Sequence, residues 1–193
     1  MLQKLWDLVT RPDSEAPLDP AVGEPRPTEL VLSLPVQLWD PIQNRAPGIL
    51  ATADVFGRML AAARTSIKIF SPYVDPTFTS LASAAKAPIQ IVTTLRESRM
   101  RSSPVLERFA TTRPMAVRYL HEKHAKAQMF QLHAKMILVD ASAAYVGSAN
   151  FTDTSLHYNF ELGLYLEDRG VIARLHSIFD YIFGFAARPA AQL

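Results

Sequence analysis

Between residues 66 and 120 two rhythms of hydrophobic and polar positions alternate. "SIKIFSPYV" (66–74), "PIQIVTTL" (88–95) and "MAVRYL" (115–120) are short, β-branched-rich runs bounded by turn residues, and they predict strands. Between them Asp75-Pro76 and Ser103-Pro104 each place a capping side chain before a proline that suits the first helical turn. Helices are therefore expected from those points to Ala85 and to about residue 111. Upstream, "ELVLSLPV" (29–36) predicts a strand, and Val55, Phe56, Met59, Leu60 and Ala63 recur at helical spacing across about 50–64. Downstream, "HAKMILVD" (133–140), "AAYVGSA" (143–149) and "NFELGLYLED" (159–168) follow without helices between them, which suits antiparallel neighbours. The last element is a helix over about Val171 to Phe183, with Val171, Leu175, Ile178, Phe179 and Ile182 as its buried stripe and His176 beside that stripe, partly exposed. The sum is an α/β fold, a mixed β-sheet flanked by helices on both faces.

The flanks read differently. Residues 10–28 hold five prolines and no apolar periodicity, so residues 1–28 predict a flexible or extended lead-in, with a short helix at Leu2 to Val9. "WDPIQNRAPG" (39–48) is expected to be irregular, the folded domain to span 29–187, and 188–193 to form a tail. At 193 residues one core is the default. No window approaches the roughly 18 apolar residues that would span a bilayer, and the apolar patch Leu5 to Val9 is interrupted by Asp7, too short for a secretory signal. A cytoplasmic protein is expected. Cysteine is absent, which excludes disulfides, thiolate metal sites and thiol nucleophiles.

Net charge is only +2, but it is unevenly spread. Arg96 to Lys126 carries eight basic residues against three acidic ones, leaving the rest of the chain net negative. Such a cluster suits a polyanion-facing surface and equally a solvated helix face with its loops.

The chemistry concentrates in "HEKHAKAQMFQLHAKMILVD" (121–140), where His-Ala-Lys occurs twice, nine residues apart. The second copy continues as His133-Ala-Lys135-x4-Asp140-x6-Gly147-Ser148-x-Asn150. The first, His124-Ala-Lys126, has Gln131 where the aspartate would stand, and reads as a basic loop beside the site. Strand alternation puts His133 and Lys135 on one side, roughly 7 Å apart at about 3.3 Å per residue, so both can reach one phosphate. Ser148 and Asn150 share a face likewise, and Gly147 admits a close approach of backbone and ligand. Asp140, seven residues from His133, points to the opposite face and is expected to be a structural carboxylate at the strand end. Met136 and Leu138 on one face and Ile137 and Val139 on the other make this strand central and covered on both sides. In "NFELGLYLED", Phe160, Leu162, Leu164 and Leu166 form an apolar face, which leaves Glu161 on the face the pattern alone would give to solvent.

The H-x-K-x4-D-x6-G-S-x-N pattern resembles the signature of the phospholipase D superfamily. The resemblance covers roughly 29–187, and its specific part is 133–161. It implies phosphodiester hydrolysis without metal or other cofactor: a histidine attacks phosphorus, a second histidine protonates the leaving oxygen, and water cleaves the phosphohistidine. It assigns His133 as nucleophile, Lys135 and Asn150 as donors to the phosphoryl oxygens, and Glu161 as the carboxylate that orients the histidine. Ser148, Gly147, Lys126, His124 and Arg118 are expected to contact substrate. The superfamily uses two motif copies per site, and single-copy members resemble half of the larger enzymes, so a homodimer is expected. That branch consists largely of nucleases, which makes nucleic acid the expected partner and an endonuclease the expected activity. The alternatives are a lipid phosphodiesterase or phosphatidyl transferase, for which Phe151, Tyr158 and "FDYIFGF" could form an apolar entrance, and a non-catalytic subunit of a larger defence complex, to which the LVLSLP and GSANFT segments are similar. His157 is expected in an exposed turn between strands, and His121, His157 and the remaining histidines lack the spacing of a zinc site.

Overall fold

The computed structural model describes residues 28–94, 102–123 and 129–186. The expected lead-in and tail, most of the basic segment's loops, and His124 and Lys126 lie outside the described residues.

Eight strands build one sheet in the order β2-β1-β10-β9-β8-β3-β4-β5, and β6 and β7 form a separate ribbon. The strands are β1 (Glu29–Ser33), β2 (Leu50–Ala51), β3 (Ile67–Phe70), β4 (Ile89–Thr93), β5 (Met115–Tyr119), β6 (His121–Lys123), β7 (Met129–Gln131), β8 (Lys135–Val139), β9 (Ala143–Gly147) and β10 (Glu161–Leu166). β3, β4 and β5 pair in parallel through the predicted crossover helices, while β3/β8, β8/β9, β9/β10 and β10/β1 are antiparallel. The sheet is therefore mixed, as the spacing of the apolar runs implied.

Helices α1 (Val36–Arg45), α2 (Thr52–Ala62), α3 (Pro76–Ala82), α4 (Ser102–Ala110), α5 (Asp153–His157) and α6 (Arg169–Phe185) complete the chain. Residues from α2, α3, α4 and α5 share a core with Val31, Ile67, Ile91, Ile137 and Tyr145 on one face of the sheet. On the other face α6 buries Ile172 and Phe179 against Phe70, Leu138 and Ala144. The α3 start follows its sequence signal closely, because the Asp75 carboxylate accepts from Thr77 N at 2.8 Å and Pro76 occupies the first turn.

Four expectations need correction. Residues 39–48 are not irregular throughout: Val36–Arg45 is helical despite Pro41, and Gln43 Nε2 donates to the Ile49 carbonyl at 2.7 Å to tie the helix end down. A proline normally breaks a helix interior, which is why the sequence pattern does not mark this helix. His157 lies not in a plain turn but at the end of α5, capped by Thr152. Ile178 is 53% exposed, so the buried stripe of α6 runs through Ile172 and Phe179 instead. The two faces of β10 are reversed relative to the pattern: Glu161 is buried at 9% exposure and Gly163 is buried, whereas Leu162 and Leu164 are 50% and 39% exposed. Tyr145 and Gly163 pack on the face with Glu161, and on the other face α6 packs over β3, β8 and β9 and leaves Leu162 and Leu164 of β10 exposed.

Candidate functional site

β8 sits in the middle of the sheet and every residue in it is buried. Its first residue, Lys135, is a buried lysine with only 7% exposure, and His133, two residues earlier, lies before the strand with its side chain exposed. The chain therefore bends out of the sheet between the two. Lys135 Nζ donates to the His133 carbonyl at 2.8 Å and stands 3.3 Å from its Nδ1. An imidazole open to solvent and backed by an ammonium group is a suitable pair for meeting a phosphate. Burial is the largest influence on Lys135 and pulls its pKa below the ordinary lysine value, while the Glu161 carboxylate pulls the other way.

Across the sheet Lys135 is level with Gly147, and Gly147 with Gly163. The two glycines leave this row bare, and Tyr145 fills the space beneath it. A Cβ at Gly147 would lie 2.4 Å from the Tyr145 hydroxyl and 2.7 Å from the Leu162 carbonyl oxygen, and one at Gly163 would lie 2.4 Å from the Tyr145 ring. Both positions therefore exclude any side chain. Tyr145 is fully buried and edge-on to Phe56 at 4.8 Å between ring centres. Burial foremost, and then the nearby Glu161 charge, push its pKa up to about 12 against the Ala149 N–H, so the phenol stays protonated. The Ala149 N–H lies beside the hydroxyl but outside hydrogen-bond geometry among the described residues.

Beyond Gly147 the chain turns out of β9 with Ser148 N donating to the Leu162 carbonyl at 3.0 Å. Ser148 Oγ donates to Glu161 Oε2 at 2.5 Å and accepts from Leu162 N at 3.1 Å. Asn159 Nδ2 donates to Glu161 Oε1 at 3.1 Å. Glu161 is thus fixed by both oxygens, and among the described residues no hydrogen bond joins it to the His133 ring. Asn150 Oδ1 is buried with no partner among the described residues, while the next residue, Phe151, is core, packed against Phe56 and Phe78. Asn150 is therefore held by a rigid neighbour, and its Oδ1 retains the capacity to accept a hydrogen bond.

Asp140 ends β8 in the left-handed region at φ 51°, a conformation aspartate tolerates better than most residues. Its carboxylate accepts from Thr65 N and Oγ1 at 2.8 and 2.7 Å, Ser66 N at 2.9 Å and Arg64 N at 3.1 Å. Asp140 is at the opposite end of the strand from Lys135 and clasps the turn before β3. Desolvation is the largest single influence on it and raises its pKa, but the donors together outweigh that and hold it down at about 2. The His176 ring contacts the Asp140 carbonyl, so the histidine of α6 is a structural anchor. Asp140→Asn is expected to cost about 1–2 kcal/mol of stability, measured by urea unfolding, with rate per folded molecule unchanged. Because the folded-state pKa is depressed, the carboxylate's contribution is present above the unfolded value near 4 and is lost as pH falls towards 2.

Arg118 is brought elsewhere. On β5, three strands from β8, it lies 4.7 Å from the Phe183 ring centre and donates to the Val117 carbonyl at 3.0 Å. The structure gathers His133, Lys135, Gly147, Ser148, Asn150 and Glu161 at one end of the sheet and leaves Arg118 and Asp140 outside that group. Tyr145 and Asn159 join it without having been singled out in the sequence. Asn159 shares the alternating face of Glu161, which was a usable signal, whereas Tyr145 reads as core until the two glycines above it are seen.

A sequence profile of the family described as "Cardiolipin synthase, PLD-like domain" matches residues 57–183. The chain is 30% identical over 153 residues to cardiolipin synthase 2 of Bacillus cereus, covering 76% of this chain and 27% of that protein. It spans about a quarter of the length of that relative. Among solved structures it is similar to Nuc from Salmonella typhimurium, a phospholipase D family member, with a TM-score of 0.63 and 17% identity over 86% of this chain and 99% of the other. NucT from Helicobacter pylori gives 0.60 and 15%, over 84% and 100%. Phosphatidylserine synthase of Haemophilus influenzae gives 0.62 and 13%, over 84% of this chain but 40% of the other. At these identities the structural likenesses establish the fold.

Proposed function

The chain belongs to the phospholipase D-like family of phosphodiesterases, and from that premise we propose that it is a nucleic-acid endonuclease whose site is completed by a second copy. The observation that carries the reading is that, among the described residues, the motif places one exposed imidazole, His133, against one buried ammonium, Lys135. In-line displacement at phosphorus with departure of an alkoxide calls for two imidazoles, one to attack and one to give a proton. His133 of one copy bonds to phosphorus as the P–O bond to the leaving strand breaks, and the second copy's imidazole protonates that oxygen. The same imidazole then takes a proton from water as the water oxygen displaces His133. Lys135 and Asn150 hold the non-bridging oxygens by fixed donors, so no metal is required. Glu161 offsets the lysine's charge and keeps Ser148 and Asn159 in place; orienting a histidine ring would require it to exchange one of those partners in the assembled site.

The dimer reading is supported by the reversed faces of β10. Leu30 is level with Leu164, and Leu164 with Val146, so three strands present an apolar row that α6 leaves open, with exposures of 48%, 39% and 38%. Leu162, 50% exposed, continues this shelf to the residue next to Glu161. A contiguous apolar face beside a half-site suits an isologous contact. Nucleic acid is favoured over lipid on charge, since Arg96 to Lys126 carries eight basic residues against three acidic ones. The basic cluster between Arg96 and Lys126 suits a phosphate backbone.

The test is cleavage of labelled single- and double-stranded DNA and RNA in excess EDTA, with phosphatidylglycerol vesicles assayed in parallel. Strand cleavage that falls steeply with added salt is expected. Turnover of the vesicles alone, or loss of strand cleavage on adding EDTA, would overturn the reading.

A further inference from the structure

The ring of Tyr145 suffices for its packing against Phe56, yet the chain buries its hydroxyl as well. That hydroxyl has no hydrogen-bond partner among the described residues, and such a group is costly to bury. The sheet nevertheless makes room for it. The atom nearest a Cβ at Gly147 would be the hydroxyl oxygen, whereas the atom nearest one at Gly163 would be a ring carbon. One glycine thus admits the oxygen and the other admits the ring. Register and strand alternation put Tyr145, Gly147, Lys135, Gly163 and Glu161 on one face. The ring carries the hydroxyl along β9 to the row of Lys135, Gly147 and Gly163, and Glu161 is the next residue of that face on β10. Its charge acts on both Lys135 and Tyr145.

The neighbours of the hydroxyl decide where its proton can go. The Ala149 N–H and the Lys135 ammonium are donors only, so neither can accept it. The acceptor side chain on this face is Glu161, whose two oxygens are held by Ser148 and Asn159. Of those two donors Asn159 is exposed and its bond is the longer, at 3.1 Å against 2.5 Å, so it is the one readily given up. We propose that Tyr145 is a positioning residue that acts through Glu161: when the carboxylate turns from Asn159 to an N–H of the His133 ring, the Tyr145 hydroxyl donates to it from the core side and holds it there. The inference deepens the phosphodiesterase reading with His133 as nucleophile and rests on it. The exchange breaks the hydrogen bond from Asn159 and forms two others, with no proton transferred. A ring N–H directed at Glu161 leaves the other ring nitrogen to attack phosphorus.

The test is a double-mutant cycle of Tyr145→Phe and Glu161→Gln, read by hydrolysis of bis(4-nitrophenyl) phosphate at enzyme concentrations high enough to follow slow variants, with urea unfolding alongside. This substrate is neither nucleic acid nor lipid, so the cycle is independent of the choice between them. Tyr145→Phe keeps the ring that fills the core, and its unfolding midpoint is expected to be no lower than that of the wild type. Its kcat is expected to fall about tenfold or more, with KM unchanged within about twofold. Beside Glu161→Gln the same substitution is expected to change kcat by less than about twofold, because no carboxylate is left for the hydroxyl to hold. A wild-type kcat in Tyr145→Phe, a loss equally large in both backgrounds, or a loss that follows a lowered unfolding midpoint would overturn the proposal. Hydrolysis abolished by His133→Ala but indifferent to Tyr145→Phe defeats the positioning role alone. No hydrolysis by the wild type defeats the phosphodiesterase reading and the positioning role with it.

Discussion

His133→Ala is expected to lower phosphodiester hydrolysis at least about a thousandfold while leaving the protein folded. The imidazole is exposed, its described contacts are to Lys135 alone, and it precedes β8 rather than belonging to it, so its loss removes no core packing. An exposed side chain of this kind costs within about half a kcal/mol on truncation. Activity measured by steady-state hydrolysis should collapse with the unfolding midpoint in urea unchanged. An unfolding midpoint that falls with the rate would point to a structural histidine instead.

Much of this site was legible in the sequence for a physical reason. The motif fixes residue types at spacings that only strands can turn into neighbours, and the strands themselves were marked by β-branched runs and by Asp-Pro and Ser-Pro helix starts. Asp140 is instructive, since its distance from His133 separated it from the site, and its four donors now account for it. What was not legible depends on packing between distant segments. Nothing local announces that Gly147 and Gly163 align across β9 and β10 to admit the ring of Tyr145. The helix Val36–Arg45 contains Pro41 and buries no residue fully, so neither propensity nor periodicity reveals it. The leucines of β10 misled in a useful way: alternation says that their face should be buried, and the single chain leaves it open.

That open face carries the second large effect. Leu164→Arg is expected to turn a dimer into a monomer and to cut activity by about a hundredfold or more. Leu164 lies at the middle of the row with Leu30 and Val146, so a partner seated there would bury an unpaired guanidinium. Burial of an unpaired charge costs several kcal/mol, and each 1.4 kcal/mol weakens association tenfold. Sedimentation and activity should fall together as concentration is lowered, and the variant's stability as a monomer should be unaltered because Leu164 is exposed within one chain. A monodisperse monomer with full wild-type activity would remove the shared site from the account.

The central claim is a covalent phosphohistidine on His133, and the most direct measurement is to trap it. Wild-type protein is mixed with a phosphodiester labelled at phosphorus and quenched within the first turnover. Its peptides are then mapped in alkali, where a phosphoramidate of histidine survives. The account predicts label on the peptide that contains His133 and none in the His133→Ala protein. Label on another residue, or turnover with no adduct at any quench time, would contradict it.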